Sequence, residues 1–275
     1  MKLKSQNNKI TYIIGLLIKD YTKKGINSKD YYFNLLKDYF IKFKDMNICF
    51  FGDQNTIEYA KTIVKTNNIR YYQINLNELP TYNISKDYYE SRMMQDDNKL
   101  TNELINNRTK KDKIRMKLRN NYKYLKKIGS KGGSEKGLGK STDEEMFRFT
   151  FTIWTSKLYM VEKTINDNPF NSTYFAWSDA SCTRWSRPFY LYSKIFKRNR
   201  INHFPNSMKY FGKEINLNAG YIMSDSNTFT KLIELFKKEL EQSKNDKYGH
   251  DEETLIQKIF LNGNQKLFHK IINII

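Results

Sequence analysis

The sequence predicts an α/β fold in which helices flank a sheet that contains parallel strands. Between Ile10 and Leu76, short apolar segments alternate with segments whose apolar residues recur every three to four positions. The short apolar segments are typical of buried strands and the periodic ones of amphipathic helices, and their alternation is typical of a parallel sheet covered by helices. A further apolar segment, Tyr174–Trp177, predicts another strand in the second half of the chain. With 275 residues, the chain is long enough for one large domain.

The first elements follow one another regularly. Ile10–Ile18 predicts the first strand, and Tyr32–Phe43 predicts a helix because its apolar residues form a stripe along one face. Met46–Asp53 predicts the second strand, Asn55–Lys65 the second helix and Ile69–Leu76 the third strand. This order predicts a parallel sheet with covering helices.

The regular pattern stops between Leu79 and Glu145. This stretch contains the densest basic run, Asn107–Lys127, followed by a glycine- and lysine-rich tract. We predict a polar, basic and partly flexible insertion at about residues 79–145, within a single domain that spans residues 1–275. The segment Ser134–Ser141 (SEKGLGKS) approaches the phosphate-binding pattern G-x-x-x-x-G-K-[ST]. A serine replaces the first glycine and no apolar strand precedes the segment, so a P-loop is not favoured.

Five segments after the insertion predict further elements. Phe147–Ile165 predicts a short strand or turn that leads into a helix, and Tyr174–Trp177 predicts a buried strand. Ile215–Met223 predicts another strand, and Phe229–Leu240 an amphipathic helix. A last helix is predicted over Leu255–Phe260.

The net charge of +19 predicts attraction to polyanions, which include nucleic acid, anionic lipid and phosphorylated substrates. The basic run Asn107–Lys127 could neutralise phosphates, with its tyrosines stacking on bases, or contact an anionic membrane surface. A solvated helix face explains the same run. Lysine, asparagine, isoleucine and tyrosine are all abundant, as expected of an AT-rich genome, from a cellular organism or a large DNA virus. Part of the charge is therefore explained by codon bias.

The two cysteines, Cys49 and Cys182, lie in apolar, strand-like segments and predict core residues in a reducing compartment. Lysines precede Ile10–Ile18, as they do in a signal sequence. The segment lacks a small-residue cleavage site, continues directly into charged residues and is too short to span a bilayer. We therefore expect a soluble cytoplasmic protein, located in the host cytoplasm if the source is viral.

Asp179 is the first candidate site residue, because it follows the apolar segment that ends at Trp177. Ligands of open α/β sheets bind at the carboxyl ends of strands. A carboxylate there can hold a divalent cation whose other ligands are water and substrate phosphate. An aspartate after a strand is equally explained by the capping of a turn.

Asp251 and Glu252 form the second candidate site, at the start of the last predicted helix. Acids in this position are common as caps and as partners of the helix dipole, so a structural role explains either one. In combination with Asp179, one acid would fix a metal–diphosphate group and another would position or deprotonate an acceptor hydroxyl. The histidines show no metal-binding spacing, although His269 could reach the site as a further metal ligand.

Four segments carry a family resemblance: Trp154–Lys157 (WTSK), Asn168–Cys182 (NPFNSTYFAWSDASC), Leu217–Met223 (LNAGYIM) and Gly249–Phe260 (GHDEETLIQKIF). In this order they resemble the HtrL/YibB-like family of proposed glycosyltransferases. That family shows W-S-x-K, N-P-F-x-S-x-Y-F-x-W-x-D-A-G, an A-G turn and a late D-E or D-Q before a helix. The first third of the chain agrees with the family only in its β-α-β character.

The resemblance implies a transferase with the GT-A fold, a Rossmann-like mixed sheet. Such an enzyme moves a sugar from a nucleotide-diphospho-sugar to a glycan, protein or lipid acceptor, with a manganese or magnesium ion at a D-x-D-type strand end. Asp179 matches the first acid of that motif, and Trp177 and Ser178 lie on the strand that leads to it. Ser181 replaces both the second acid and the family's glycine, which weakens the expectation of a strong metal site.

The same resemblance assigns the remaining site residues. Lys157 matches the family lysine and is suited to a phosphate oxygen, with Arg184 as a further cation. Asn218–Gly220 matches the turn beside the sugar or acceptor. Asp251 matches the late acid, and it or the adjacent Glu252 is the candidate base if the reaction inverts. Two other functions stay open: a nucleic-acid-binding protein, and an inactive interaction protein on a degenerate scaffold.

Overall fold

The structure is a computed structural model that describes residues 10–19, 29–94, 144–180, 196–204, 208–210, 213–215, 217–245 and 251–271. The basic run and the glycine- and lysine-rich tract of the predicted insertion lie outside these residues. Ser181, Cys182 and Arg184 also lie outside them, as does His250. The described part of the insertion contains the α-helix Ile84–Met93 and the first two residues of the helix Glu144–Thr155.

A seven-stranded mixed sheet forms the centre of the described structure, in the order β3-β2-β1-β4-β8-β5-β9. Strands β1 to β4 are parallel to one another, β8 runs antiparallel to both β4 and β5, and β9 is parallel to β5. A separate hairpin pairs β6 with β7. The strands are β1 (Ile10–Leu16), β2 (Asn47–Gly52), β3 (Ile69–Gln73), β4 (Tyr174–Ser178), β5 (Ile201–His203), β6 (Met208–Tyr210), β7 (Lys213–Ile215), β8 (Tyr221–Asp225) and β9 (Phe268–Lys270).

Helices cover both faces of the sheet, because its central strands are apolar on both sides. In β1, six of the seven residues are buried. The helices are α1 (Lys29–Lys42), α2 (Gln54–Ile63), α3 (Ile84–Met93), α4 (Glu144–Thr155), α5 (Lys157–Asp167), α6 (Ser226–Gln242) and α7 (Glu252–Ile259). Helices α1 and α2 pack on one face, and α3 to α7 contribute to the core on the other. The predicted α/β fold is confirmed.

Two predicted elements are wrong. Phe147–Ile165 contains no strand but two successive helices, α4 and α5. The alternating phenylalanines resemble a strand, yet Phe147 and Phe151 are one helical turn apart and both are fully buried. The predicted strand Ile215–Met223 is also divided. Ile215 ends β7 and Tyr221 begins β8, and the turn at Asn218–Gly220 separates the two strands.

The strand order places a topological switch point beside β4. From β1 the chain builds outward through β2 to β3, and it then returns to place β4 on the other side of β1. The strands that follow β1 and β4 in the chain therefore lie in opposite directions from this pair. Open α/β sheets bind their ligands at such switch points, at the carboxyl ends of the strands.

None of the described helices is long and apolar enough to cross a membrane.

Candidate functional site

Asp179 lies directly after β4, at the carboxyl edge of the sheet next to this switch point. Its backbone N–H donates to the carbonyl of Gly220, 2.8 Å away, which holds the strand end against the turn before β8. Its carboxylate Oδ1 accepts a hydrogen bond of 2.8 Å from the indole Nε1 of Trp177. The side chain is 30% exposed, so one side of the carboxylate still faces solvent.

Lys157 is the first residue of α5, and its ammonium contacts the carboxylate of Asp179. Its Nζ is 3.0 Å from Oδ1 and 3.3 Å from Oδ2 of Asp179. The same Nζ donates to the carboxylate Oε1 of Glu252. The ammonium also lies 5.6 Å from the ring centre of Trp177, within the range of a cation–π contact. Only 7% of Lys157 is exposed, so the lysine is a buried bridge between two carboxylates.

The two acids at the start of α7 have different local roles. Asp251 is the N-cap, and its carboxylate accepts a 2.7 Å hydrogen bond from the backbone N–H of Thr254. Glu252, the first helical residue, directs its carboxylate to Lys157. Both acids are buried, at 6% and 8% exposure. The predicted helix start is therefore confirmed, and only Glu252 has a role that capping does not explain.

The turn before β8 closes the cluster. The backbone N–H of Ala219 donates to Oε1 of Glu253 at 3.2 Å, and the N–H of Gly220 donates to the side-chain Oδ1 of Asn218 at 2.7 Å. A Cβ atom on Gly220 would lie 2.9 Å from that Oδ1 and 3.1 Å from Oδ2 of Asp179. Glycine at this position therefore allows the turn to approach the Asp179 carboxylate closely.

Burial controls the protonation of the acids at the start of α7. It raises the pKa of Glu252 to about 7, an increase to which the charges of Asp251 and Asp179 add and which Lys157 opposes. It also raises the pKa of Glu253 to about 8, with further contributions from the charges of Glu252 and Asp251. Burial raises the pKa of Asp251 as well, against the hydrogen bonds from Thr254.

Lys157 keeps its charge in this environment. Burial alone would lower the pKa of its ammonium, but the charges of Asp179 and Glu252, together with their hydrogen bonds, raise that pKa above its ordinary value. The described cluster therefore contains one permanent cation. One of its two partners, Glu252, can exchange a proton near neutral pH.

The side chains present do not fit a divalent cation at Asp179. A metal ion about 2.1 Å from an Asp179 oxygen would lie close to the Lys157 ammonium. Two unit charges 4 Å apart repel by about 4 kcal/mol at a protein surface, and a divalent ion is repelled roughly twice as strongly. Among the residues that the structure describes, no group of three or more His, Cys, Asp or Glu residues could hold a metal ion. The side chains present therefore do not support the predicted metal site of Asp179 and His269, which stays a prediction.

Of three further predicted residues, His269 and Ser178 lie away from the cluster and Trp177 contacts it directly. His269 is in β9, which two strands separate from β4, a span on the order of 14 Å at the usual strand spacing. Ser178 is fully buried and belongs to the opposite face of the sheet from Trp177. Trp177 is 2% exposed and contacts the cluster through Asp179 and Lys157, so it positions these two side chains.

Glu253 is a site residue that the sequence reasoning missed. The signal was present, because Glu253 is the third consecutive acid at the start of a predicted helix. The helix dipole favours acids at this position, so the sequence offers no reason to expect more than a structural role. The burial that raises the pKa of Glu253 is visible only in the structure. Ser181 and Arg184 lie outside the described residues, so their predicted roles stay predictions.

Comparison of the chain with protein-family models, with curated protein sequences and with solved structures finds no match.

Proposed function

We propose that this protein is a glycosyltransferase that moves a sugar from a nucleotide-diphospho-sugar to an acceptor hydroxyl. The observation that carries the proposal is the buried bridge of Asp179, Lys157 and Glu252 at the carboxyl edge of the sheet. These three residues come from a strand end and two helix starts.

The position of the bridge supports the proposal. Asp179 ends β4 beside the switch point between β1 and β4, where open α/β sheets bind their ligands. Its carboxylate is the most exposed part of the bridge and is available to a sugar or acceptor hydroxyl. The resemblance to the HtrL/YibB-like family, carried by the segments around Lys157, Asp179, Gly220 and Asp251, points to the same reaction.

The chemistry of Glu252 supports a proton transfer in this reaction. The acceptor oxygen would attack the anomeric carbon, a new carbon–oxygen bond would form, and the bond to the diphosphate oxygen would break with its electron pair. The acceptor proton would pass to the carboxylate of Glu252. A base with a pKa of about 7 is well matched to this task near neutral pH. Asp251 is the weaker candidate because its carboxylate is held by the cap.

A thermal-shift screen tests donor binding. The full chain is heated with UDP-, GDP-, CMP- and dTDP-sugars, each with manganese and with EDTA, and the melting temperature is recorded. A ligand at a hundred times its dissociation constant adds about 2.7 kcal/mol of stability, which raises the melting temperature by several degrees. We expect one nucleotide class to give this rise in the wild type and in Asp167→Asn, a surface control in α5. Asp179→Asn should lose the rise, and a rise that survives in Asp179→Asn would contradict the proposed site.

The net charge of +19 favours a second candidate function, binding of nucleic acid. Fluorescence anisotropy of a labelled single-stranded oligonucleotide with the full chain measures it. Electrostatic binding should weaken linearly on a plot of log affinity against log salt, with a slope set by the number of phosphates contacted. Tight, salt-dependent binding without any nucleotide-sugar shift would favour this function over sugar transfer. Failure of both assays would favour an inactive interaction protein.

A further inference from the structure

We infer that the Lys157 ammonium is the resident cation of this site, in the place where a divalent metal would otherwise lie, and that the site works without a metal ion. The inference rests on the proposed function only where it concerns the sugar donor. Its central claim, that Lys157 excludes a metal from the carboxylates, is independent of the reaction.

The contacts of Lys157 are those expected of a bound cation. Its Nζ contacts both carboxylate oxygens of Asp179 and one oxygen of Glu252. Oδ1 of Asp179 already accepts from Trp177 as well. A metal ion at these carboxylates would therefore compete with the Lys157 ammonium and the Trp177 indole for the same oxygens.

The place of Lys157 on its helix is unfavourable for a cation, which argues that the carboxylates hold it there. Lys157 is the first residue of α5, where the positive end of the helix dipole repels an ammonium group. The first turn of α5 contains no acid, and its N-cap residue, Ser156, makes no side-chain capping bond. Helix stability therefore gives no reason for a lysine at this position.

The burial of Lys157 supports the same conclusion. A lysine normally extends its ammonium into water along an apolar stem. Lys157 is 7% exposed, and its ammonium is paired with the carboxylates of Asp179 and Glu252. By contrast, Lys237 pairs with Glu162 at the surface with 41% of its side chain exposed. The buried Lys157 ammonium is therefore a charge held in a fixed position within the site.

Electron paramagnetic resonance of manganese tests the inference directly. The full chain is titrated with Mn²⁺, and the signal of the free ion gives the bound fraction. Four proteins are compared with the wild type, and the first, Asp179→Asn, removes only the carboxylate. Lys157→Met keeps most of the apolar stem and removes the charge, Lys157→Met with Asp179→Asn also removes the carboxylate, and Lys163→Met is a surface control on the same helix. Lys157→Gln serves as a second variant if Lys157→Met does not fold.

We expect no Asp179-dependent manganese binding in the wild type or in Lys163→Met. Removal of the ammonium should tighten manganese binding by at least about tenfold, and Asp179→Asn should abolish the gain. Wild-type binding that disappears in Asp179→Asn would overturn the inference. A folded Lys157 variant that also fails to bind manganese would overturn the claim that Lys157 takes a metal's place.

The sugar donor gives a separate result. If a nucleotide-sugar stabilises the wild type equally in EDTA and in manganese, the inference holds for donor binding. A stabilisation that requires manganese would overturn the inference while the proposed function stands. If the nucleotide-sugar stabilises the protein in neither condition, the proposed function is contradicted. The manganese titration would then test the role of Lys157 by itself.

Discussion

Helices α6 and α7 begin with the same cap at opposite edges of the sheet. The carboxylate of Asp225 accepts from the backbone N–H of Thr228 at 2.9 Å, and that of Asp251 accepts from the N–H of Thr254 at 2.7 Å. Asp225 ends β8 and lies at the edge where β4 begins. Asp251 lies at the edge where β4 ends, near Asp179. The cap itself therefore does not distinguish a site from a structural helix start.

The residues after the two caps are different. No acid is present in the first turn of α6, whereas α7 continues with Glu252 and Glu253. Acids near a helix N-terminus gain about 0.3–1 kcal/mol from the dipole when they are exposed. Burial instead raises the pKa of both glutamates, so their charged forms are disfavoured in the fold. Groups kept in this condition are typical of functional sites. Capping explains Asp251 but does not explain the burial of Glu252 and Glu253. We therefore infer a functional role for these two glutamates.

The largest expected effect is the loss of the buried lysine. In Lys157→Ala the carboxylates of Asp179 and Glu252 lose their shared partner, and breaking a buried ion pair costs about 3–5 kcal/mol. Urea denaturation should show this loss in the free energy of unfolding at pH 7. Lys237→Ala breaks the surface pair with Glu162 and should cost less than about 1 kcal/mol. Equal losses in both variants would contradict the distinction between the buried and the surface pair.

Glu253 should make stability depend on pH. Its pKa is about 8 in the fold against 4.5 in the unfolded chain, so the fold binds the extra proton. This contribution is complete below pH 4.5 and is lost as pH rises through 8. Glu253→Gln cannot ionise and therefore does not lose stability as the pH rises. It should be more stable than the wild type by more than about 1 kcal/mol at pH 9, with little difference at pH 4. Thermal unfolding at both pH values measures this. A variant that is less stable at pH 9 would show that the Glu253 charge stabilises the turn.

The two caps should be equivalent in stability and different in function. Asp225→Ala and Asp251→Ala should each lower the free energy of unfolding by about 1 kcal/mol, because each leaves a helix N–H without its partner. Only Asp251→Ala should also weaken donor binding, since it loosens the helix start that carries Glu252. Urea denaturation and the nucleotide-sugar shift measure the two effects. Equal loss of donor binding in both variants would remove the distinction between the two helix starts.

The sequence predicted the first half of the fold because each element there carries its own local pattern. The segments that became β1, α1, β2, α2 and β3 are apolar or periodic over their whole length. The prediction failed at Phe147–Thr155, where alternating aromatic residues imitate a strand. Their burial at one-turn spacing depends on packing against Tyr88 of a preceding helix, which no local pattern reveals.

Local patterns in the sequence also predicted individual residues of the site, but not how they are connected. The strand-end rule identified Asp179, and the acidic helix start identified Asp251 and Glu252. Their connection could not be predicted from the residues, because Lys157 and Glu252 are 95 positions apart and meet only through the order of the strands. The raised pKa values depend on burial, which becomes known only once the strands and helices are packed together.

The most direct test of a chemical role for the start of α7 is the release of nucleoside diphosphate from the donor, with water or sugar as the acceptor. Glu252→Gln keeps the shape of the side chain and removes the base, so turnover should fall by about 10²–10⁴-fold. Glu162→Gln, a surface control, should keep wild-type turnover. Wild-type turnover in Glu252→Gln would contradict the account and return α7 to the purely structural role of α6.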